Sequence, residues 1–95
     1  MAPKPATVFL GEMTDPEVAA FLKDHQTVIV PTGSTEQHGP HGPLLTDVIV
    51  PNEVARRVAP RVGALVAPPI NYALSYPHVG FTGVVHIRIP TFMSL

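Results

Sequence analysis

Residues 27–47 read TVIVPTGSTEQHGPHGPLLTD, an apolar run followed by a loop rich in Gly, Pro and ionisable side chains. The run at residues 27–31 is short, β-branched and apolar on both faces, which predicts a central strand of a parallel sheet. In open α/β sheets, ligands bind beyond the carboxyl ends of the strands. The loop that follows the run is therefore predicted to carry a binding site, with Glu36, His38 and Asp47 as candidate ligands.

The segments on either side of this stretch alternate between helical and extended patterns, which is typical of an α/β fold. Helices are expected where apolar residues recur at helical spacing, over residues 15–24 and 47–58. Strands are expected at the short apolar runs, over residues 27–31, 64–70 and 84–89. The remaining segments are expected to be extended over residues 1–7 and to form a loop over residues 71–83.

Particular residues are expected to set the ends of the helices. Thr14 or Asp15 is the candidate cap of the first helix. Pro60 and Gly63 are expected to end the second helix, because proline lacks an N–H and glycine favours the position after a helix. A further helix is expected to open near the end of the chain, with Thr91 as its candidate cap.

These elements predict a single α/β domain with a mostly parallel sheet. The chain ends one turn into its last predicted helix, whereas a parallel sheet needs helices on both faces. Hydrophobic residues make up 45% of the chain and charged residues 14%, which indicates faces buried against something beyond the chain. The domain is therefore expected to be incomplete here, so that either the chain is a fragment or a second polypeptide supplies the rest.

Composition and charge argue against several classes of protein. The net charge is -1 and the Arg56–Arg57 pair is the largest basic cluster, so neither nucleic acid nor an anionic membrane is an expected partner. The absence of cysteine excludes disulfides and thiolate metal sites. The N-terminus lacks the apolar core of a signal peptide, and no apolar run approaches the roughly 20 residues of a membrane helix. A cytoplasmic protein is the default expectation.

The candidate ligands have spacings that suit a metal site. Glu36 and His38 are two residues apart, so an extended segment points both side chains to the same side. Asp47 returns after a turn-forming insert, and three ligands of these types can bind Zn²⁺ or Mn²⁺. An aspartate can also bridge two ions, which then activate a water and polarise a carbonyl. A Glu-x-His pair by itself is common and usually solvated or structural, so the spacing alone leaves both interpretations open.

Other polar residues are weaker candidates, each with an alternative role. His41 either donates to a ligand carboxylate or anchors the Gly-Pro loop. Ser75 and His78 are candidates for lining the substrate mouth, although a loop histidine next to proline is as often structural. Gln37 is a candidate for orienting a neighbour by hydrogen bonding, and His86 is expected to be a surface or edge residue.

Residues 34–47, STEQHGPHGPLLTD, resemble the signature of the creatininase (creatinine amidohydrolase) family, Ser/Thr-Glu-Gln-His-Gly-Pro-His-x-Pro-Leu-x-Thr-Asp. Gly42 stands where that family often has Leu. Residues 75–83, SYPHVGFTG, are similar to the family's Ser-x-x-His-x-x-Phe-Pro-Gly-Thr loop, with Thr82 in place of the Pro and Val84 in place of the Thr. The resemblance runs from about residue 8 to the last residue.

The resemblance implies that Glu36, His38 and Asp47 are metal ligands and that Asp47 bridges two divalent ions. The family is metal-dependent, hydrolyses C–N bonds of cyclic or small amides on a three-layer α/β fold, and often assembles as hexamers. Zn²⁺ and Mn²⁺ are the expected metals, with Fe²⁺ as a further option. The family's remaining ligands come from an Asn-Gly-His-containing segment that residues 1–95 lack. The resemblance therefore implies activity only together with a complementary C-terminal polypeptide.

Three functions follow as hypotheses. The leading one is the N-terminal part of a metal-dependent amidohydrolase that hydrolyses a C–N bond of a small amide with metal-activated water. The second keeps the scaffold but changes the reaction to C–O or C–C cleavage or to isomerisation of a keto-sugar, and a substrate panel separates it from the first. The third is a non-catalytic assembly subunit. Under that third hypothesis, Glu36→Gln and Asp47→Asn leave the activity of the assembled complex unchanged.

Overall fold

The structure is a computed structural model, and it describes residues 7–95. Its elements follow the α/β order, as α1 (Asp15–Phe21), β1 (Thr27–Ile29), α2 (Thr46–Val62), β2 (Ala64–Val66) and α3 (Ile89–Ser94), with 3₁₀ turns at Leu10–Glu12 and Tyr76–His78. The extended segment predicted for residues 1–7 lies, except for its last residue, outside the described residues. Among the described helices, none is long and apolar enough to cross a membrane.

The first helix begins at the predicted cap. Thr14 Oγ1 accepts a hydrogen bond from the backbone N–H of Glu17, and the backbone N–H of Thr14 donates to Glu17 Oε1 at 3.0 Å. This reciprocal pair satisfies backbone donors that the first turn of a helix leaves unpaired. Pro16 fits beside the cap for the same reason, since its position needs no N–H. The helix ends at Phe21, earlier than the predicted residue 24.

The sheet is parallel, as predicted, but its inner strand is β2. β1 and β2 pair with Thr27 opposite Ala64, and an isolated bridge joins Phe9 to Val66 on the other side of β2. All three residues of β2 are buried, whereas β1 is largely exposed. Within the described residues β1 is therefore an edge strand, and the central position expected for residues 27–31 in the complete sheet stays a prediction. An apolar run indicates a strand that can be covered on both faces of the sheet. Which strands pair with it depends on how the chain connects the strands.

The second helix packs its smallest side chains against the sheet. Ala55 and Ala59 lie one helical turn apart, and they form the main apolar cluster together with Ala64 and Val66. Short side chains allow the helix backbone to approach the strands closely. This contact fixes α2 over β2 and thereby fixes the first turn of α2, where the loop of candidate ligands ends.

The end of α2 differs from the predicted one. The helix was expected to stop near residue 58 because of Pro60, but it continues through Pro60 to Val62. Proline in a helix removes one hydrogen bond and crowds the preceding turn. Burial of Ala59 against the sheet offsets that cost in the last turn. Gly63 does end the helix as predicted, with a φ of 67° in the left-handed region.

The strand predicted over residues 84–89 does not form. Val85 makes an antiparallel bridge to Thr35, whereas His86 makes a parallel bridge to Ala73. Successive residues that pair with neighbours of opposite direction cannot extend into one ladder. Alternation of apolar and polar residues predicts an extended backbone, and Val85 and His86 do form bridges. The alternation does not show that the two residues pair with different segments.

The last helix begins before its predicted cap. α3 starts at Ile89, after Arg88, whose backbone is extended and whose side chain makes no capping hydrogen bond. Thr91 therefore lies inside the helix, and its predicted role as the cap is wrong. Pro90 occupies the first turn, where a missing N–H costs nothing and the fixed φ already suits a helix. The start of α3 is thus set by proline rather than by a hydroxyl.

On the exposed face of α2, we expect the Glu53 carboxyl to have a pKa of about 2. Arg56 and then Arg57, three and four residues further on, hydrogen-bond this carboxylate and lower its pKa from 4.5. Because the pKa is depressed in the folded state, this stabilisation is present above pH 4.5 and is lost as the pH falls towards 2. NMR titration of the Glu53 carboxyl carbon measures the shift, and the double variant Arg56→Gln/Arg57→Gln should return the pKa towards 4.5. An unchanged pKa in that variant would contradict the assignment.

Candidate metal centre

The loop beyond β1 folds back on itself as a narrow hairpin. The backbone N–H of Glu36 donates to the carbonyl of Leu44 at 3.1 Å, and His38 pairs with Gly42 in an antiparallel bridge. A β-carbon at Gly42 would lie 2.7 Å from His38 Cβ, so the absence of a side chain permits this close pairing. The turn at the tip uses Gly39 with a φ of 73°. The hairpin presents Glu36 and His38 from one arm.

The third candidate ligand comes from the start of α2. Asp47 lies in the first turn of the helix, where a negative charge is favoured by the helix dipole. Ser34, which is 9% exposed, donates from Oγ to Asp47 Oδ2 at 3.0 Å. Gly33 lies directly under this turn, since a β-carbon there would be 2.9 Å from Val48 Cγ2. The short residues before the hairpin thus let the helix start approach the loop.

These elements bring all three candidate ligands together. One potential ligand atom from each of Glu36, His38 and Asp47 lies within 4.8 Å of the other two. His38 Nε2 and Asp47 Oδ2 are 3.2 Å apart. Two carboxylates and one imidazole form a donor set that suits Zn²⁺ or Mn²⁺. The residues meet as their spacing predicts, while their binding of a metal stays a prediction.

One buried nitrogen of the cluster lacks a well-formed hydrogen bond. Nε2 of His38 lies 3.2 Å from Asp47 Oδ2, but in a geometry that falls outside that of a hydrogen bond. An unpaired buried nitrogen costs free energy in a finished protein unless something binds it. An imidazole nitrogen that faces a carboxylate without a hydrogen bond is arranged as it would be when both coordinate a cation. The cluster therefore fits a divalent metal.

The electrostatics of Asp47 agree with that fit. Burial works against its ionisation, but hydrogen bonding with Ser34 and Glu36 and the proximity of His38 outweigh burial and hold the pKa of Asp47 below 3.8. Asp47 is therefore ionised at neutral pH. Metal ligands must be deprotonated, so this carboxylate is in the state required for binding.

Among the weaker candidates, His78 lies against Glu36, and Gln37 contacts His78. Gln37 Nε2 lies 3.0 Å from His78 Nδ1, and His78 Nε2 lies 3.6 Å from Glu36 Oε1. The sequence placed His78 either at the substrate mouth or in a structural role. The structure places it against a candidate ligand, and both predicted roles stay predictions. The 42-residue span from Glu36 to His78 gives no local signal of this contact.

Two further polar residues are more buried than their sequence context indicates. Ser75 is fully buried, its backbone N–H donates to His86 Nδ1 at 2.8 Å, and its Oγ has no partner within the described residues. His86 stacks on Tyr76 with ring centroids 4.4 Å apart. His86 is thus half-buried beside the 3₁₀ turn that contains Tyr76, and its isolated bridge to Ala73 is compatible with the predicted edge position. The substrate-mouth role of Ser75 stays a prediction.

His41 lies at the tip of the hairpin and Ser34 at its base. His41 is exposed at the hairpin tip beside Gly39, so the structure brings it into the turn, and its contact with a ligand carboxylate stays a prediction. Ser34 was not singled out from the sequence, although it touches Asp47. The only indication of this contact in the sequence is a hydroxyl directly before the hairpin, and serines are common in loops.

The amino-acid sequence of the chain is similar to those of one family of enzymes. The family model for creatininase, described as creatinine amidohydrolase, matches residues 11–95. A 3-dehydro-scyllo-inosose hydrolase of Thermotoga maritima is 35% identical over 92 residues, which cover 96% of this chain and 30% of that protein. A mycofactocin precursor peptide peptidase of Mycolicibacterium smegmatis is 50% identical over 66 residues, which cover 63% and 27%. A creatinine amidohydrolase of Pseudomonas putida is 43% identical over 67 residues, which cover 70% and 26%.

Solved structures agree with the sequence comparison. A creatininase variant described as the Zn-Zn type superposes with a TM-score of 0.82 at 34% identity, covering 92% of this chain and 36% of that one. A manganese form of creatininase superposes with a TM-score of 0.81 at 34% identity, covering 90% and 35%. The chain thus spans about a third of the length of the relatives it matches. It has the fold of the corresponding part of those structures.

Proposed function

The chain belongs to the creatininase family, and from that membership we propose that residues 1–95 are the N-terminal part of the domain of a metal-dependent hydrolase. The observation that carries the proposal is the meeting of Glu36, His38 and Asp47, whose ligand atoms lie within 4.8 Å of one another. The buried Nε2 of His38 supports it, since it has no hydrogen-bond partner within the described residues. The cluster lies in the loop after β1, where α/β folds bind ligands.

Each side chain of the cluster has a role in this proposal. Glu36, His38 and Asp47 hold Zn²⁺ or Mn²⁺, and Asp47 has two oxygens with which to serve two ions. Ser34 fixes the orientation of the Asp47 carboxylate through its hydrogen bond to Oδ2. When bound, the metal supplies a water of lowered pKa and a polarised substrate carbonyl. We assign protonation of the leaving nitrogen to the complementary part of the enzyme.

The proposed substrate is a cyclic or small amide, of which a C–N bond is hydrolysed. Two kinds of relative support this class by their names, the creatinine amidohydrolase and the mycofactocin precursor peptide peptidase. An alternative substrate is a keto-sugar or a related carbonyl compound. It is favoured by the 3-dehydro-scyllo-inosose hydrolase, which aligns with 96% of this chain.

We further propose that a complementary polypeptide adds a parallel strand to the free edge of β1. Within residues 7–95, that edge has no strand partner. Beside it, Val50, Val54 and Val58 of α2 lie four residues apart and line an apolar groove of about 530 Å³ together with β1. Each of these valines is at least 40% exposed. A strand on β1 would cover this stripe, and it would deliver further ligands to the same end of the sheet. The relatives are long enough to contain it, because this chain matches only about a third of them.

The proposal is tested by reconstitution with the complementary part of a relative. The chain is co-expressed with the part of the Pseudomonas putida creatinine amidohydrolase that it does not match, and a covalent fusion of the two parts serves as a second arm. Copurification, metal content per assembled unit and hydrolysis of creatinine, a short peptide and an oxo-inositol are measured. We expect a complex with close to two metal ions per unit and hydrolysis of at least one amide, since the missing ligands are then present.

Several outcomes would decide against parts of the proposal. A folded complex or fusion with less than one metal ion per unit, under metal-replete conditions, would overturn the metal centre. Activity that is unchanged by Glu36→Gln and Asp47→Asn would favour the non-catalytic assembly subunit. Turnover of the oxo-inositol alone would favour the alternative substrate class. If neither arm folds, Mn²⁺ binding by the chain itself still tests the three ligands.

A further inference from the structure

A chain of contacts outside the three candidate ligands ends on Glu36. The backbone N–H of Gly39 donates to Gln37 Oε1 at 2.8 Å. The amide nitrogen of Gln37 lies 3.0 Å from His78 Nδ1. The other ring nitrogen of His78, Nε2, lies 3.6 Å from Glu36 Oε1, and the Glu36 side chain is only 14% exposed. The contacts join the turn of the ligand hairpin to the 3₁₀ turn at Tyr76–His78.

The first donor in this chain of contacts, the N–H of Gly39, fixes the direction of the hydrogen bonds that follow. A backbone N–H can only donate, so the amide of Gln37 must turn its oxygen towards Gly39. The NH₂ group of Gln37 then faces His78, and Nδ1 must accept. In a neutral imidazole one nitrogen accepts and the other carries the proton. The proton of His78 is therefore on Nε2, which faces the carboxylate of Glu36.

The turn itself holds the first donor in place. Gly39 has a φ of 73°, a conformation that side chains with a β-carbon adopt rarely. The arms of the hairpin are joined on either side of the turn by the bridge between His38 and Gly42. The N–H of Gly39 thus comes from backbone that is already fixed by the ligand hairpin. The tautomer of a histidine far along the chain is set by the same loop that carries the ligands.

We infer that Gln37 and His78 are positioning residues that orient the Glu36 carboxylate by fixing the Nε2-protonated tautomer of His78. The inference rests on the proposed role of Glu36 as a metal ligand. At 3.6 Å the contact is longer than a hydrogen bond, so it acts by electrostatic attraction between an N–H dipole and a carboxylate. The opposite tautomer would turn a lone pair towards the carboxylate and repel it. Partners of this kind behind metal ligands tune both their orientation and metal affinity.

The tautomer is tested on the metal-free chain by ¹⁵N NMR of the histidine rings at about pH 8, where an ordinary imidazole is neutral. Wild-type His78 should show a protonated Nε2 and an unprotonated Nδ1. In Gln37→Glu, one carboxylate oxygen still accepts from Gly39 while the other faces Nδ1, so Nδ1 should become protonated. The matched control Gln26→Glu makes the same charge change at an exposed glutamine and should leave His78 unchanged.

The consequence for the ligand is tested by Mn²⁺ affinity in two variants of His78. His78→Gln removes the ring but keeps an N–H donor near the position of Nε2, whereas His78→Asn keeps one only near Nδ1. We expect His78→Gln to stay within about threefold of wild type, and His78→Asn to lose about tenfold or more. A purely structural role for the ring would give equal losses in both variants.

The outcomes separate this inference from the proposed function. An Nδ1-protonated His78 in the wild type, or an unchanged tautomer in Gln37→Glu, would overturn the inference whether or not the chain binds metal. Equal Mn²⁺ affinities of His78→Gln and His78→Asn would also overturn it. A wild-type chain that shows the expected tautomer but does not bind Mn²⁺ would contradict the proposed metal centre instead. If Gln37→Glu does not fold, the wild-type tautomer and the His78 pair still give the test.

Discussion

Replacing Asp47 by Asn is expected to lower the affinity of the chain for Mn²⁺ by at least about 100-fold, because outer partners of metal ligands already contribute 10–100-fold and Asp47 is proposed as a direct ligand. The substitution removes one negative charge from the cluster and leaves one amide oxygen in place of two carboxylate oxygens. In the wild type, Ser34 Oγ donates a hydrogen bond to Asp47 Oδ2 at 3.0 Å, and the substitution changes this acceptor. The side-chain volume is nearly unchanged, so the effect should fall on binding rather than on folding.

The measurement is a titration of Mn²⁺ followed by electron paramagnetic resonance, in which the signal of the free ion disappears on binding. Asp24→Asn is the matched control, since it makes the same chemical change at an exposed position in the turn after α1. That control should bind Mn²⁺ as the wild type does. Equal affinities of the Asp47→Asn chain and the wild type would show that Asp47 is not a ligand. Circular dichroism of both variants confirms that the fold is retained.

Replacing Gly33 by Ala should destabilise the chain by about 3 kcal/mol, the upper end of the usual cost of overpacking, and should weaken Mn²⁺ binding as well. A β-carbon at Gly33 would overlap the carbonyl oxygen of Asp47 and lie 2.7 Å from its carbonyl carbon. The two nearest atoms are backbone in the first turn of α2, which cannot move without shifting the helix start. Relief of the overlap therefore displaces Asp47 from Glu36 and His38.

Urea unfolding followed by circular dichroism measures the loss of stability, and the Mn²⁺ titration measures the effect on the cluster. Gly11→Ala is the control, because its β-carbon would meet Pro68 Cγ at 3.7 Å, an ordinary contact. That control should change the free energy of unfolding by less than about 0.5 kcal/mol. If Gly33→Ala were as stable as Gly11→Ala, the close approach of the loop to α2 would be wrong.

Part of the site could be predicted because it depends on short stretches of sequence. Glu36 and His38 share one side of a hairpin arm as a spacing of two requires, and Asp47 opens a helix whose start the sequence places within one residue. The contacts made by Ser34 and His78 could not be predicted in the same way. They depend on how closely the loop approaches α2 and on which turn packs against the loop. Local periodicity in the sequence predicts neither.

The same distinction between local sequence and tertiary contacts applies to the fold. The capping box at Thr14, the left-handed Gly63 and the parallel pairing of two apolar runs follow from the local chemistry of the residues, and the sequence by itself determined them. Only the tertiary structure decided that α2 continues through Pro60 and that residues 84–89 bridge two different neighbours. Both depend on free energy from contacts between distant segments, which override local preference. The sequence thus determined which candidate ligands the loop carries, while packing decided which contacts hold them in place.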